Sequence, residues 1–258
     1  DAGKLLLNIL TNGQSDASDR LLAAELAGDF TVICEELVEA LQSILHSDHE
    51  SEELRSQAAI SLGPVLDYAD TEEFEEPDDV PISERTFHHI QESLHRLYRD
   101  AAVPKNVRRR ILEASVRASQ EWHRDAIRAA YSSDDEDWRL TAVFSMRYVR
   151  GFDKQILEAL ESDNPDIHYQ AVVAAGNWEI DAAWPHVSRL LSAPAADKDL
   201  LLAAIEAVAF IRPQEAGIIL VDLMDSDDED IVEAVHEAVA IAEGLLSYGF
   251  DGDDDEDE

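Results

Sequence analysis

Residues 164–176 read NPDIHYQAVVAAG, and this stretch decides the fold. Asn164 is a good helix N-cap, and Pro165 suits the first helical turn. Ile167 and Ala171 lie four residues apart, so they share one face of a helix. Small residues on that face allow a neighbouring helix to approach closely. The stretch therefore predicts a helix that packs against other helices along one side.

The same helix pattern recurs along the whole chain. Aligned on Ile167, the seven segments begin at Asp19, Leu54, Val107, Trp138, Ile167, Leu200 and Ile231. Successive starts lie 35, 53, 31, 29, 33 and 31 residues apart, so the period is near 31 residues except at one interval. The fifth position is small or aliphatic in every segment: Ala23, Ala58, Ile111, Ala142, Ala171, Ala204 and Val235. A period of this length, with a shorter amphipathic run before each segment, indicates stacked helix pairs.

These segments resemble the HEAT repeat family, in the short form named after the phycobilisome lyases. The matching residues are Leu54-Arg55, Ala58-Ala59 and Leu62-Gly63 in the second repeat and Asn164 to His168 and Ala174 to Gly176 in the fifth. The resemblance implies an all-α fold, an α-α superhelix (HEAT-like solenoid) of about seven helix pairs. We expect the pairs at residues 3–28, 31–68, 84–118, 121–149, 153–178, 181–211 and 214–246. In this family the second helices line the concave surface, which usually binds partners.

The irregular interval and the C-terminus set the predicted domain organisation. The 53-residue interval between the second and third segments contains an acidic stretch with two prolines, so we expect an inter-repeat loop at about 69–82. The last residues are almost all acidic and predict a disordered tail at 250–258. The repeat domain would then span residues 1–249.

The charge of the chain is extreme. Asp and Glu number 57 against 20 Lys and Arg, which gives a net charge of -37. Such a chain repels itself at ordinary salt, whereas at about 1 M salt the Debye length falls to roughly 3 Å. Many acids and few lysines resemble the proteins of extreme halophiles, haloarchaea in particular. The alternative is an acidic protein from an ordinary organism.

The cations are concentrated in the middle of the chain. Residues 1–84 carry a net charge of -18, residues 85–154 carry +4, and residues 155–258 carry -23. Arg110 and Arg117 are seven residues apart, which predicts that both reach solvent from one helix face. The predicted partner-binding residues are Arg109, Arg110, Arg117, Arg147, Arg150, Gln170 and Asn177. We expect them to hold an acidic segment of a partner protein, and the alternative is solvated pairing within the chain.

Four other arginines favour a structural role. Arg20, Arg55, Arg108 and Arg139 occupy the second position of their segments, the column that usually forms ladders between neighbouring repeats in this family. We expect these side chains to neutralise carboxylates of adjacent repeats. Cys34 lies in an apolar run and is predicted to be a small buried hydrophobe.

No catalytic or cofactor-binding pattern stands out in the sequence. Gly-rich phosphate loops and nucleophile elbows do not occur. The HEAT-like di-iron hydroxylases need His-Glu pairs early in several second helices, and those columns hold other residues here. His88, Glu92 and His95 have ligand-like spacing, but such a triplet on a charged helix is more often solvated. We therefore expect no metal, no cofactor and no enzymatic activity.

The resulting hypothesis is a cytoplasmic adaptor that binds a protein on the concave face of repeats three to five. No apolar run approaches 18 residues, so we expect no membrane span. A nucleic-acid binder or base-repair protein of the alkylbase-glycosylase type is an alternative that would use the same arginines, but molar salt and the acidic flanks oppose it. A further alternative is a lyase or chaperone that acts on a cofactor-bearing protein.

Overall fold

The computed structural model describes residues 2–72, 74, 80–192 and 197–250, with side chains as far as Ser247. These residues form α-helices, short 3-10 turns and connecting loops, and none of them lies in a β-strand. The chain divides into two compact units, residues 1–133 and 134–258. The prediction of an all-α helical-repeat fold is confirmed.

Unit 1 contains eight α-helices within its described residues. They are α1 (Ala2–Thr11), α2 (Ala17–Ala27), α3 (Glu35–His46), α4 (Glu52–Ile60), α5 (Gly63–Glu72), α6 (Glu84–Arg99), α7 (Lys105–Ser115) and α8 (Glu121–Tyr131). A 3-10 turn at Val116–Ala118 follows α7.

Unit 2 contains seven α-helices within its described residues. They are α9 (Glu136–Ser145), α10 (Asp153–Ala159), α11 (Pro165–Asn177), α12 (Trp184–Leu190), α13 (Lys198–Ile211), α14 (Pro213–Ile219) and α15 (Glu229–Phe250). Two 3-10 turns, Asp181–Ala183 and Val221–Leu223, precede α12 and follow α14.

Apart from α5, which is additional to the helices of the seven predicted pairs, the helices occur in the order that those pairs require. In unit 1 the pairs are α1 with α2, α3 with α4, and α6 with α7, and in unit 2 they are α10 with α11, α12 with α13, and α14 with α15. The second helices of neighbouring pairs pack directly on one another: α2 on α4 and α4 on α7 in unit 1, and α9 on α11, α11 on α13 and α13 on α15 in unit 2. The predicted pair at 121–149 corresponds to α8, which ends unit 1, and α9, which begins unit 2.

Small residues explain why the second helices pack so closely. All seven residues of the fifth column are buried, from Ala23 at 2% exposure to Val235 at 0%. A Cβ added to Gly28 would lie 2.7 Å from the carbonyl oxygen of Ser61, and one added to Gly176 would lie 3.0 Å from the Cα of Ala207. Glycine is therefore needed where the end of one second helix meets the next.

Several second helices begin at the polar caps that the sequence favours. Asn164 accepts hydrogen bonds from the backbone N–H groups of Asp166 and Ile167, and Ser51 accepts one from Leu54. Asp135 caps α9 in the same way. Side chains of this kind satisfy backbone donors that have no partner inside the helix.

The arginine column has a repeated role within single helix pairs. Arg20, Arg55 and Arg108 each donate from Nε to the backbone carbonyl ten residues earlier, and the acceptors are Leu10 (3.3 Å), Leu45 (3.0 Å) and Tyr98 (2.8 Å). Each acceptor lies in the last turn of the preceding first helix, where carbonyls lack helical partners. Arginine at this position therefore ties the second helix to the end of the first.

Arg20 forms the expected ladder between repeats. Arg20 also forms a bidentate ion pair with Glu50, at 2.8 Å and 2.6 Å, and Glu50 belongs to the next repeat. This pair lowers the pKa of Glu50. Arg55 is 5% exposed and reaches Asp48 at 3.4 Å, inside its own repeat. The expectation of inter-repeat pairing thus holds for Arg20, whereas the ion pair of Arg55 lies inside its own repeat. For Arg108 and Arg139 it stays a prediction.

Cys34 packs against the apolar core at the N-cap of α3, but it is half-buried and not fully buried as the sequence predicted. Residues 69–72, the start of the predicted acidic loop, belong to α5, while residues 73 and 75–79 lie outside the described residues. The predicted tail also lies outside them, apart from its first residue, which ends α15.

Candidate functional site

Four of the predicted partner-binding residues lie together in unit 2. Arg147 follows the end of α9, and its Nη1 donates to Oε1 of Gln170 on α11 at 3.0 Å. Asn177, at the end of α11, donates to the backbone carbonyl of Arg147 at 3.3 Å. Arg150 lies with its guanidinium 4.7 Å from the ring centroid of Trp178. We call Arg147, Arg150, Gln170 and Asn177 the arginine cluster.

Aromatic rings hold the guanidinium of Arg147 in place. Its Cζ lies 5.3 Å from the ring centroid of Phe144 and 5.7 Å from that of Tyr148, distances at which cation–π attraction operates. Its Nε is buried and has no hydrogen-bond acceptor among the described residues. The side chain is half-buried overall, so rings and one amide position it while part of it remains at the surface.

Arg150 is the exposed arginine of the cluster. It stacks on Trp178, and Trp178 is itself fixed because its Nε1 donates to the carbonyl of Met146 at 2.6 Å. Gly151, the next residue, has a φ of 96°, a conformation that side chains disfavour. The backbone therefore turns sharply after Arg150. The guanidinium of Arg150 lies at the surface.

The three predicted arginines of unit 1 have different surroundings. Arg110 is exposed and pairs through Nη1 with Glu113, a buried carboxylate. Arg109 is half-buried and approaches Oδ1 of Asn106 at 3.5 Å. Arg117 packs beside Gly63, where an added Cβ would lie 2.9 Å from its Nε. Arg117 therefore lies against the start of α5.

The prediction that Arg110 and Arg117 reach solvent from one helix face is wrong. α7 ends at Ser115, and Arg117 lies in the 3-10 turn beyond it, so the seven-residue spacing does not fall on a single helix. Arg110 is exposed, whereas Arg117 is half-buried. The sequence pattern assumed a helix two residues longer than the one that forms.

A groove of about 950 Å³ runs along the second helices α11, α13 and α15 in unit 2. Alanines and larger apolar side chains form its floor, among them Ala203, Ala238 and Ile241. Its carboxylates, all of them exposed, are Asp166, Asp197, Asp199, Glu206, Asp230, Glu233 and Glu237. The groove therefore combines an apolar floor with an anionic rim and favours positively charged groups.

Sequence reasoning missed this groove. Residues 155–258 carry a net charge of -23, and acids occur throughout them, so no segment stands out. The sequence did contain one indication of the groove, namely that two carboxylates occupy the same position of the repeat. Glu206 and Glu237 each lie two residues after the buried fifth position of their segments, Ala204 and Val235. Gln170 links the groove to the arginine cluster, since it lines the groove and also accepts a hydrogen bond from Arg147.

Lys198 is placed between carboxylates at one end of this groove. Its Nζ lies 2.8 Å from Asp228 and 2.6 Å from Asp230, two residues just before and at the start of α15. Hydrogen bonds to these carboxylates raise the pKa of Lys198 above its usual range. The contact joins the start of α13 to the start of α15 and neutralises part of the anionic rim.

Two histidines and a glutamate form a chain of contacts beside the groove. His168 Nε2 lies 2.7 Å from His186 Nε2, and His186 Nδ1 lies 3.2 Å from Glu161 Oε1. Burial lowers the pKa of His168, and the neighbouring His186 lowers it further. His168 occupies the column that holds arginine in other repeats, so this pair replaces the arginine contact there.

The histidines with ligand-like spacing do not converge. His95 stacks on Trp122, with ring centroids 4.5 Å apart, whereas His88 approaches Gln91 at 3.3 Å. Among the described residues, no group of three or more His, Cys, Asp or Glu side chains is arranged to hold a metal ion. In the same part of the chain, no helix is both long and apolar enough to cross a bilayer.

Comparisons with known proteins show likeness in structure alone. No protein-family model matches the chain, and no curated protein matches it in sequence. The YibA protein of E. coli is 17% identical, with 93% of this chain and 81% of that chain covered and a TM-score of 0.46. Human deoxyhypusine hydroxylase in complex with glycerol is 15% identical, with 94% and 96% covered and a TM-score of 0.41. A designed armadillo repeat protein is 14% identical, with 94% and 100% covered and a TM-score of 0.36.

Proposed function

We propose that this protein is a non-enzymatic scaffold that binds a partner protein on the face formed by its second helices. The observation that carries the proposal is the position of Gln170, which joins the arginine cluster to the groove of unit 2. A surface that combines cations, aromatic rings and an apolar floor has the composition expected of a protein-binding site.

The arginine cluster supports binding of an acidic segment of the partner. Arg150 is exposed above Trp178, and a guanidinium fixed on an aromatic ring loses little freedom when it meets a carboxylate. Arg147 offers a second guanidinium that Phe144, Tyr148 and Gln170 already position. For unit 1, taken by itself, we propose the exposed Arg110 and the half-buried Arg109 and Arg117 as contacts of that unit with a partner.

Charge makes a protein a better partner than nucleic acid. A protein segment can carry a carboxylate for the arginine cluster and a cation for the carboxylate-rimmed groove beside it, whereas a phosphate backbone is anionic throughout and is repelled by that rim. We further propose that the protein works in the cytoplasm of an organism with molar internal salt, where counterion release contributes little to nucleic-acid binding. Short-range hydrogen bonds and apolar contacts would then carry most of the affinity.

The test uses charge reversal within the cluster. The partner is captured from the source organism at native salt and identified, and its affinity is then measured for the full chain and for an Arg147→Glu/Arg150→Glu variant. We expect the double reversal to weaken binding at least about a hundredfold, since each fixed charge pair is worth roughly 1.5–3 kcal/mol. Arg189→Glu, an exposed arginine of α12 outside the cluster, is the matched control and should leave the affinity nearly unchanged.

Two results would contradict the proposal. The first is a partner that binds the double variant and the wild-type chain equally well. The second is saturable binding of short DNA or RNA at about 2 M KCl that the double variant loses, because that would assign the arginines to nucleic acid.

A further inference from the structure

Unit 1 contains a second groove, formed by the first helices α3 and α6. The two helices are bridged at both ends. At one end Glu35 accepts from the backbone N–H of Ser83 at 2.6 Å and from Oγ1 of Thr86 at 2.7 Å. At the other end Ser93 Oγ lies 2.9 Å from Nε2 of His46. Between these bridges the helices leave a groove of about 1240 Å³.

Gln42 lies between the two bridges and lines this groove. Its side chain belongs to the buried set, with 9% of the residue exposed, and its Oε1 has no hydrogen-bond donor among the described residues. Buried amide oxygens nearly always have a donor, because an unsatisfied acceptor destabilises the fold. An acceptor of this kind beside an open groove is therefore suited to a donor that comes from outside the chain.

Two polar neighbours that line the groove, His46 and Thr86, already have partners of their own. The nearest polar ring along α3 is His46, and its Nδ1 lies 2.7 Å from the backbone carbonyl of Gln42 while its Nε2 meets Ser93. Both nitrogens of His46 are thus already engaged. Thr86 likewise donates to Glu35.

The charges that line the groove favour a cation. Glu39 on α3 and Glu92 on α6 are exposed, and neither carboxylate has an ion-pair partner among the described side chains. Arg85 also lines the groove, near its Thr86 end by its place in α6. The groove thus contains the unsatisfied Oε1 of Gln42 and two carboxylates, so a bound group needs N–H donors together with positive charge.

We propose that the groove between α3 and α6 binds an organic cation, an ammonium or guanidinium group whose N–H donors meet Oε1 of Gln42 while Glu39 and Glu92 balance its charge. Such a group is supplied either by a free polyamine or by a lysine or arginine side chain of a protein. This site lies on first helices, so it is separate from the proposed partner surface on the second helices.

The decisive variant is Gln42→Met, because it removes the acceptor without changing the charge of the protein. Any chain with a net charge of -37 attracts cations, so a loss of binding in this variant separates the specific contact from general attraction. The full chain is titrated with spermidine and, separately, with acetyl-Gly-Arg-Gly-amide, and binding is followed by calorimetry. We expect saturable binding of at least one probe, weakened about tenfold or more by Gln42→Met.

A pair of charge variants completes the test. Glu39→Gln/Glu92→Gln and Glu25→Gln/Glu53→Gln remove the same charge, but the second pair lies outside the groove on α2 and α4. Only the first pair should weaken binding by about tenfold or more. If Gln42→Met does not fold, as judged by its circular dichroism, the comparison of these two pairs decides the question.

The outcomes separate the sources of the cation. Spermidine binding alone assigns the site to free amines, binding of the peptide alone assigns it to protein side chains, and binding of both supports the shared chemistry. The proposal is overturned if neither probe saturates, if Gln42→Met binds as well as the wild-type chain, or if the two charge pairs weaken binding equally.

Discussion

His168 and His186 face each other through their Nε2 atoms, 2.7 Å apart, and Glu161 holds the other side of His186. A contact this short requires one ring to donate and the other to accept, so the pair can carry only one proton between the two Nε2 atoms. Burial of His168 and the proximity of His186 both lower the pKa of His168. The pair is therefore stable while at least one ring is neutral.

The first prediction concerns the titration of His168. In the folded protein we expect its pKa below the ordinary value of about 6.5, and we expect it to rise in a His186→Gln variant because the neighbouring charge is removed. Proton NMR titration of the ring measures both values. Equal His168 values in the two proteins would contradict the contact.

The second prediction concerns His123 and acid stability. This ring is fully buried, its Nδ1 accepts from the backbone N–H of Gln120 at 2.8 Å, and its Nε2 lies 2.9 Å from Oγ of Ser115. Burial lowers its pKa to about 4. Because the unfolded chain takes up this proton near pH 6.5 and the folded chain does not, the free energy of unfolding falls between pH 6.5 and 4, by about 3 kcal/mol.

Replacement of His123 separates this loss from the titration of carboxylates. His123→Asn keeps an acceptor for the Gln120 amide but does not titrate, so its free energy of unfolding should fall less than that of the wild-type chain between pH 7 and 4.5. Urea unfolding at the two pH values measures the difference. His49→Asn, the same substitution at an exposed position, is the matched control for the change of side chain itself. A His123→Asn variant as acid-sensitive as wild type would count against the assignment.

The third prediction tests the arginine contact within a helix pair. Arg55 is 5% exposed and donates to the carbonyl of Leu45 at 3.0 Å. Arg55→Met keeps much of the apolar stem but leaves that carbonyl without the donor, so we expect a loss of about 1–3 kcal/mol in the free energy of unfolding. Arg189→Met at an exposed position should change it by less than about 0.5 kcal/mol. Similar losses in both variants would refute the structural role of Arg55.

The fourth prediction concerns close packing of second helices. In Gly176→Ala the new Cβ would lie 3.0 Å from both the Cα and the Cβ of Ala207, so α11 and α13 must separate slightly. We expect destabilisation of about 1–3 kcal/mol from overpacking, measured by denaturant unfolding. Gly244→Ala meets nothing within 4 Å and lies in α15, where it should stabilise by about 0.5–1 kcal/mol. The packing argument fails if both variants change stability in the same direction.

The fifth prediction concerns salt. With a net charge of -37, self-repulsion should weaken the fold when counterions are removed. We expect the helical circular dichroism signal to fall as KCl is lowered from about 2 M to about 0.1 M, where the Debye length grows to about 10 Å. Restoring KCl should restore the signal. A fully helical protein in dilute buffer would contradict the proposed adaptation to molar salt.

The sequence predicted the helix pairs well because the signal is local and repeated. Ala58, Ala171 and Ala204 must be small for second helices to touch, and the repeat places them in the same column. Each helix start also carries its own cap, as Asn164 shows. Patterns of this kind depend on neighbours a few residues away, so they can be read without knowledge of the rest of the fold.

The candidate site was predicted less completely because its contacts join distant residues. Gln170 meets Arg147 across 23 positions, and no spacing rule pairs a glutamine with an arginine of the previous repeat. Arg117 was placed on the face of Arg110 because the end of α7 at Ser115 has no glycine or proline to mark it. Gln42 gave no signal, because an amide without a donor is evident only when all its neighbours are known.

The arginine that reaches back ten residues has a consequence for how such a chain can grow. Donor and acceptor lie in one hairpin, as with Arg108 and Tyr98, so a DNA segment that encodes about one repeat encodes both halves of the bond. Duplication of that segment adds a helix pair that already contains this hydrogen bond. Deletion of the segment removes a whole helix pair, and no carbonyl in the neighbouring repeat loses its donor. The number of repeats can therefore change in evolution more freely than the internal layout of any one of them.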